Sequence, residues 1–265
     1  MNPVETRSIV SVTNYRRKKI LEMLYQRKSV SADELAAEFG VSKITIRRDL
    51  DTLAMDKLLE RTRGGAVCIS DLGFEEIFET KDSTAKKEKA LIGRYVASLV
   101  QDNETVFLNA GSTTLEVMRH LTGRKVRVVT NNAAVLLLEP DPNVELILLG
   151  GDYRPPSRSL VGGLTIASLQ SIYSSLTVLG INGVSIKRGC TTAVQLETAV
   201  NRAMLENSSG KVVIVADHTK MNTVSSFLTC PLGRVDLVVT DALTPASFCD
   251  EIKSLGVDVV RVADE

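Results

Sequence analysis

The sequence SKITIRRDL, at residues 42–50, decides the fold of the first part of the chain. Ser42 is a residue type that often caps a helix, and the apolar side chains after it recur at intervals of three and four residues. This spacing predicts a helix over Lys43–Met55 that turns three apolar side chains inward, Ile46, Leu50 and Leu53.

Two further helices are predicted upstream. Over 14–28, four side chains make one face of an amphipathic helix, Ile20, Leu21, Leu24 and Tyr25. The sequence SADE at 31–34 resembles a capping box for the next helix, which should end at Gly40. Two helices joined by a three-residue turn that contains glycine make a helix-turn-helix, the second helix of which enters the major groove of DNA.

The sequence LLERTRGGAV at 58–67 alternates apolar and polar residues and predicts a β-hairpin wing. A recognition helix presents donors to base edges and cations to phosphates. We therefore expect seven side chains to contact double-stranded DNA: Ser42, Lys43, Thr45, Arg47 and Arg48 from the helix, and Arg61 and Arg63 from the wing. DNA would repel the Asp49 carboxylate, so we expect Asp49 to orient or pair with an arginine beside it.

The overall net charge of zero hides an uneven distribution. Residues 14–67 contain twelve Lys or Arg and eight Asp or Glu, and this net charge of +4 suits phosphate contacts. The apolar runs are too short to cross a bilayer, and the N-terminal basic cluster follows the mildly apolar stretch, so we expect a cytoplasmic protein without a membrane role. Four widely spaced cysteines predict single buried thiols, without a metal site or disulfide framework.

The second part of the chain alternates strand-like apolar runs with helical stretches. A helix is predicted at 85–100, and seven strands follow at 105–108, 126–129, 144–149, 176–179, 212–216, 235–240 and 257–262. This alternation predicts an α/β domain with a mostly parallel sheet and helices on both faces. We expect a winged helix-turn-helix domain at 14–67, a linker at 68–84, and an effector-binding and oligomerisation domain at 85–265.

Polar residues and glycines collect where these strands end, the edge at which α/β sheets bind ligands. The sequence NAGSTT at 109–114 offers a glycine, three hydroxyls and a helix start, which together favour an anion. It has neither the Walker nor the dinucleotide-binding sequence, so we expect no ATP, NAD or other cofactor.

We expect eleven side chains or glycines to contact an effector: Asn109, Gly111, Ser112, Thr113, Thr114, Asn131, Asn132, Arg154, Asn182, Glu197 and Lys220. Lys220 and Arg154 would bind a phosphate, and Asn131 and Asn132 would bind sugar hydroxyls. Each residue taken singly also has a structural explanation, such as a helix cap or a surface ion pair.

These motifs resemble the DeoR family of bacterial transcriptional regulators. The resemblance rests on Arg16, Ile20 and Leu24, on SxxTIRRDL at 42–50 and on the wing at 58–66. It continues through AGSTT at 110–114, VTNN at 129–132, LGG at 149–151 with Arg154, GxxG at 180–183, Glu197 and DxxK at 217–220, so it covers nearly the whole chain. Three positions depart from the family: Arg63 replaces a histidine, and Asn109 and Asn182 replace aspartates.

The resemblance implies a second domain similar to the sugar-phosphate isomerases of the ribose 5-phosphate type, which binds a phosphorylated sugar or sugar-acid effector. We interpret the chain as a repressor of a sugar or sugar-acid operon. A single winged helix contacts few base pairs, so we expect a homo-oligomer, either a dimer or a tetramer.

Two alternatives remain: an isomerase-like enzyme fused to a DNA-binding module, or a second domain that only dimerises. The sequence LGING at 179–183 contains no carboxylate for proton transfer, which disfavours the enzyme, and no catalytic residue is assigned.

Overall fold

The computed structural model describes residues 15–17, 19–21, 23–24, 27, 29–55, 58–67, 77–139 and 141–264. The chain divides into two compact units, Met1–Phe74 and Glu75–Glu265. Among the described residues, no helix is long and apolar enough to span a membrane.

The described residues of the first unit form three helices and a small sheet. The described residues between 15 and 27 are helical and form α1. Helices α2 and α3 span Ala32–Phe39 and Lys43–Met55. Strands β1 (Ser29–Ser31), β3 (Gly65–Val67) and β2 (Glu60–Arg61) pair antiparallel in that order. The predicted winged helix-turn-helix is therefore confirmed.

Local sequence sets the boundaries of α2 as predicted. The Ser31 hydroxyl accepts the Glu34 N–H at 3.1 Å, and the Glu34 carboxylate accepts the Ser31 N–H at 3.2 Å. Gly40 ends the helix in the left-handed conformation, with φ of 60°. The residues predicted to face inward from α1 and α3 are buried, and Leu35 of α2 joins them: Ile20, Leu21, Leu24, Leu35, Ile46, Leu50 and Leu53. Tyr25, which we also expected there, lies outside the described residues.

Two adjacent glycines in the wing differ in their surroundings, which gives a matched test of its packing. A methyl group on Gly65 would lie 1.9 Å from the Val30 carbonyl oxygen, whereas one on Gly64 would meet nothing within 4 Å. We expect Gly65→Ala to lower the free energy of unfolding of this unit by about 1–3 kcal/mol because the strands must separate. Gly64→Ala should leave it unchanged. Urea unfolding measures both, and equal losses would contradict this packing.

The second unit is built on a seven-stranded sheet whose strands all run parallel to their neighbours. Its order is β15-β14-β12-β9-β4-β5-β6. The strands span Thr105–Leu108 (β4), Val126–Thr130 (β5), Val144–Leu148 (β6), Ser174–Gly180 (β9), Ser208–Val215 (β12), Leu237–Asp241 (β14) and Asp258–Val262 (β15). Each corresponds to one of the seven predicted strands, which confirms the α/β prediction.

Five short strands were missed by the sequence analysis. Strands β7 (Asp152–Arg154) and β8 (Ser159–Val161) form a hairpin. Strands β10 (Gly183–Ser185), β11 (Gly189–Thr192) and β13 (Phe227–Cys230) form an antiparallel sheet. They are three or four residues long, which is too short for the apolar run that predicts a strand.

The helices of the second unit are α4 (Phe78–Ser83), α5 (Lys86–Leu99), α6 (Ser112–His120), α7 (Gly163–Leu169), α8 (Gln195–Glu206) and α9 (Ala246–Ser254). Helix α5 matches its prediction. Helix α4 was not predicted: we expected residues 68–84 to be a linker, and α4 lies within that range. Phe78 anchors α4: its side chain is buried, its N–H donates to the Pro156 carbonyl at 2.6 Å, and the Arg158 guanidinium lies 4.9 Å from its ring centroid.

Alternate side chains of the sheet enter different hydrophobic clusters. Phe107 and Val129 belong to one, and Val106, Leu108 and Val128 belong to the other. The sheet is therefore covered on both faces, as predicted.

The described cysteines are free, buried thiols, as expected, and Cys68 lies outside the described residues. Cys190 and Cys230 are nevertheless neighbours, because they lie opposite each other on β11 and β13. A hydrogen bond to Cys230 and burial raise the pKa of the Cys190 thiol well above its usual value.

Candidate functional site

The first candidate site is the exposed face of α3. The Ser42 hydroxyl accepts the Thr45 N–H at 3.2 Å and lies 2.9 Å from the Thr45 hydroxyl oxygen, so it caps the helix as predicted. Lys43, Arg47 and Arg48 are exposed. The Lys43 ammonium lies 2.8 Å from the carboxylate of Asp33, which is itself exposed. The first turns of α3 thus present hydroxyls and cations to solvent.

Asp49 fixes α3 onto α1, which corrects the expectation that it pairs with a neighbouring arginine. Its side chain is only 3% exposed, and its two oxygens accept hydrogen bonds from Arg16 Nε at 2.6 Å and Arg17 Nε at 2.9 Å. Arg47 and Arg48 take no part in these bonds to Asp49 and are exposed to solvent.

The two wing arginines differ in their environments. Arg61 is half-buried; its Nε donates to Asp51 Oδ1 at 2.8 Å, and its Nη1 donates to the Gly65 carbonyl. These bonds hold the wing to α3, so Arg61 is engaged within the protein, whereas we expected it to project toward DNA. Arg63 is exposed between β2 and β3, where it is available to a partner.

The second candidate site is a cavity at the carboxyl ends of β4, β5, β9 and β12. Its lining is formed by Lys81, Lys89, Asn109, Ala110, Gly111, Ser112, Thr113, Asn131, Gly180, Ile181, Asn182, Thr192, Glu197, Asn201, Ala216, Asp217 and Lys220. Eight of the eleven residues expected at the effector site therefore converge there. Ligand binding at this edge is what a parallel α/β sheet favours.

The start of α6 makes one wall of the cavity suited to an anion. Gly111, Ser112 and Thr113 all line it, and they precede or form the first turn of this nine-residue helix. The first N–H groups of a helix have no partner within the helix and carry its positive dipole end. With the Lys220 side chain also at the cavity, the wall can bind a phosphate or carboxylate.

The amides of Asn109 and Asn131 hold this wall in place. Asn109 Nδ2 donates to the Gly180 carbonyl at 2.8 Å and to Asn201 Oδ1 at 2.9 Å, and its Oδ1 accepts the Gly180 N–H at 2.8 Å. Asn131 accepts the Ala110 N–H at 2.8 Å and donates to the Leu160 carbonyl at 2.9 Å. Both amides therefore bridge the protein backbone across the cavity floor.

Three expected effector residues are not part of the lining. Thr114 donates its hydroxyl to the Asn109 carbonyl at 2.7 Å. Asn132 donates to the Gly111 carbonyl at 3.0 Å and accepts the Ala134 N–H at 3.1 Å, so it caps the short helical turn that follows it. The Arg154 Nε lies 3.9 Å from Glu197 Oε1. Each of these three side chains thus contacts a residue of the lining: Asn109, Gly111 or Glu197.

Glu197 brings negative charge to the cavity. Its side chain is 10% exposed, and its Oε1 accepts the Ser159 hydroxyl at 2.9 Å. Arg154 compensates part of this charge from outside the lining. Asn182 also lines the cavity, where its Oδ1 accepts the Ala193 N–H at 3.0 Å.

Two lysines of the lining were missed because they lie in or just beyond the expected linker. Lys81 belongs to α4 and Lys89 to α5. Lys89 is 3% exposed; its ammonium donates to the Thr84 carbonyl at 2.8 Å and to the Lys81 carbonyl, and it lies 3.8 Å from Asp217 Oδ2. A lysine four residues into an amphipathic helix gives no sequence indication of burial.

Among the described residues, no group of His, Cys, Asp and Glu side chains is arranged to hold a metal ion.

Comparison with known proteins identifies the family of each unit. Residues 16–71 match the family model of the DeoR-like helix-turn-helix domain, and residues 84–242 match that of the DeoR C terminal sensor domain. The chain is 32% identical over 260 residues to the "Putative aga operon transcriptional repressor" of Escherichia coli O157:H7, with 96% of each chain covered. It is 31% identical to the "HTH-type transcriptional repressor GlcR" of Bacillus subtilis, over 91% of this chain and 93% of that relative.

Among solved structures, ribose 5-phosphate isomerase A from Methanocaldococcus jannaschii is similar over 52% of this chain and 55% of its own, with 15% identity and a TM-score of 0.38. A similarity this distant supports no conclusion about function. The two domain matches and the relatives that align over almost the full length lead to one assignment. This chain belongs to the DeoR family of helix-turn-helix transcriptional regulators.

Proposed function

We propose that this regulator is a repressor of an operon for sugar or sugar-acid metabolism, and that a phosphorylated sugar or sugar acid bound in the cavity releases it from its operator. The observation that carries the effector proposal is the anion-binding wall, where the start of α6 and Lys220 meet at one cavity. The names of the relatives support the rest, since they include a repressor of the aga operon and a "Lactose phosphotransferase system repressor" from Lactococcus lactis.

The proposed DNA contacts are those of α3 and the wing tip. Ser42, Lys43, Thr45, Arg47, Arg48 and Arg63 would contact the operator, and Arg61 would hold the wing in position. A homo-oligomer, a dimer or tetramer, would place two such domains on repeated half-sites, because one winged helix spans too few base pairs for specific binding. Such a regulator would work in the cytoplasm, where operator DNA and phosphorylated metabolites meet.

The proposed route of the signal begins at α4. This helix is the first described helix of the second unit. The Lys89 ammonium donates to the carbonyls of Lys81 and Thr84 at its end, and it also faces Asp217 at the cavity. An anionic effector would attract Lys81 and Lys89 and thereby shift α4, from which the chain continues back to the DNA-binding domain. The effector changes DNA affinity only as far as it binds one of the two states more tightly.

The test is the affinity of the purified protein for a duplex from its own promoter, measured at fixed salt across a panel of phosphorylated sugars and sugar acids. We expect tight, sequence-preferring binding that one panel compound weakens. Chemical conversion of a panel compound would instead support the isomerase-like enzyme. DNA binding that no compound alters, together with an oligomer that depends on the second domain, would support a domain that only dimerises.

Lys220→Met gives a sharper version of this test. Loss of one charge-assisted hydrogen bond should raise the effector concentration needed for half-release about tenfold or more, and leave DNA affinity without effector unchanged. The matched control is Lys211→Met, because Lys211 is an exposed lysine on β12, the strand that precedes Lys220, and lies away from the carboxyl end of that strand. An unchanged effector response in Lys220→Met would remove Lys220 from the proposed site.

A further inference from the structure

Ile44 is a large apolar side chain that α3 leaves in solvent. It is 65% exposed, whereas the apolar residues that join α3 to the core are Ile46, Leu50 and Leu53. A single exposed isoleucine needs no explanation on an arbitrary surface. Ile44 differs from an arbitrary surface residue because it lies in the first turn of the recognition helix, two residues after the Ser42 cap.

Ile44 shares a helix face with the two exposed arginines. Residues three and four apart lie side by side on an α-helix, so Arg47 and Arg48 are the nearest neighbours of Ile44 along this face. The adjacent Asp49 does not neutralise them, since its carboxylate is bonded to Arg16 and Arg17 on the buried side. In the first two turns of α3 this face therefore combines one aliphatic group with two cations.

Double-stranded DNA is the partner that matches this combination. Its phosphates attract the arginines, and the one apolar group among the base edges of its major groove is the 5-methyl group of thymine. We propose that Ile44 packs against the methyl group of one thymine in each operator half-site and makes thymine at that position a determinant of specificity. This proposal rests on the proposed binding of DNA through α3.

The proposal has a chemical test that changes only one methyl group. Replacing thymine by uracil removes the methyl and keeps the base pair. The probe is the tightest duplex that the full-length wild-type protein selects from a randomised library, with each thymine replaced in turn by uracil. We expect replacement of the contacted thymine to weaken binding about fourfold per half-site, the size of one buried methyl group, at constant salt.

Ile44→Ala connects this effect to the side chain. The variant should bind the unmodified duplex more weakly, and it should no longer distinguish thymine from uracil at that one position. The matched control is Met55→Ala, at the other end of α3, where the side chain is 83% exposed. It should retain the full penalty for uracil, and thermal unfolding should show that both variants are folded.

Two outcomes overturn the proposal. In one, Ile44→Ala loses affinity equally for all duplexes, and every uracil penalty of the wild-type protein persists. In the other, sedimentation shows that Ile44→Ala changes the oligomeric state, which would make this residue a protein contact. Failure of the underlying function is distinct, because a protein that does not bind DNA through α3 would select no preferred sequence from the library.

Discussion

Asp49→Ala should lower the free energy of unfolding of the DNA-binding domain by about 3 kcal/mol and abolish operator binding near physiological temperature. The substitution removes a carboxylate that is 3% exposed and leaves two arginine side chains, 11% and 30% exposed, without it. Removal of one partner from a buried ion pair costs about 3–5 kcal/mol, and the partial exposure of Arg17 places this case at the lower end.

Hydrogen exchange followed by mass spectrometry measures this effect on peptides from the DNA-binding domain, with peptides from the second unit as internal reference. Asp51→Ala is the matched control, since Asp51 is an acidic residue of the same helix whose side chain is 61% exposed in its ion pair with Arg61. An exposed pair contributes about 0–1 kcal/mol, so exchange should change little. Equal protection in the two variants would show that Asp49 does not stabilise the domain.

The second large effect is expected at Lys89. Lys89→Met keeps much of the side-chain volume but removes an ammonium that bonds to two carbonyl oxygens at the end of α4 and faces the buried Asp217. We expect a loss of about 3–5 kcal/mol in the stability of the second unit, the cost of removing one partner from a buried charge network. Because α4 loses its attachment to the cavity, the response of DNA binding to the effector should fall with it.

Lys87→Met controls for the loss of a positive charge from the same helix. The Lys87 side chain is 70% exposed and pairs with Asp264 at the surface, where this partner raises its pKa. Urea unfolding and effector titration together measure both variants. If Lys89→Met were as stable and as responsive as Lys87→Met, the buried network would have no role in either property.

Prediction from the sequence succeeded where a single segment contains the whole signal. Strand β4 and helix α3 were predicted to the residue, because a run of apolar side chains or a helical spacing with a capping serine specifies each one locally. The same holds for the edge of the sheet that contains the cavity, which follows from the direction of parallel strands.

The features that the sequence did not predict have a different physical cause: these side chains bond to partners that are not their neighbours in the sequence. Asp49 bonds to arginines more than thirty residues away in preference to those beside it. Arg61, which we predicted to contact DNA, bonds to Asp51 and to a backbone carbonyl, and the sequence indicated neither partner. Lys89 looked like a surface residue of a helix, and its burial depends on α4, which the sequence did not distinguish from a linker. Hydrogen bonds and ion pairs between distant side chains can be assigned only when the fold is known.

The asparagine bridge at the cavity floor limits how this sensor can be re-engineered. Asn109 donates to the Gly180 carbonyl and to Asn201 Oδ1, so position 109 must supply hydrogen and position 201 must receive it. An aspartate at 109 would place a carboxylate oxygen against the Gly180 carbonyl oxygen, and a donor introduced at 201 would restore only the second contact. A change of ligand preference through position 109 therefore needs a matching change in the backbone at Gly180, because an exchange at position 201 alone leaves that carbonyl without a donor.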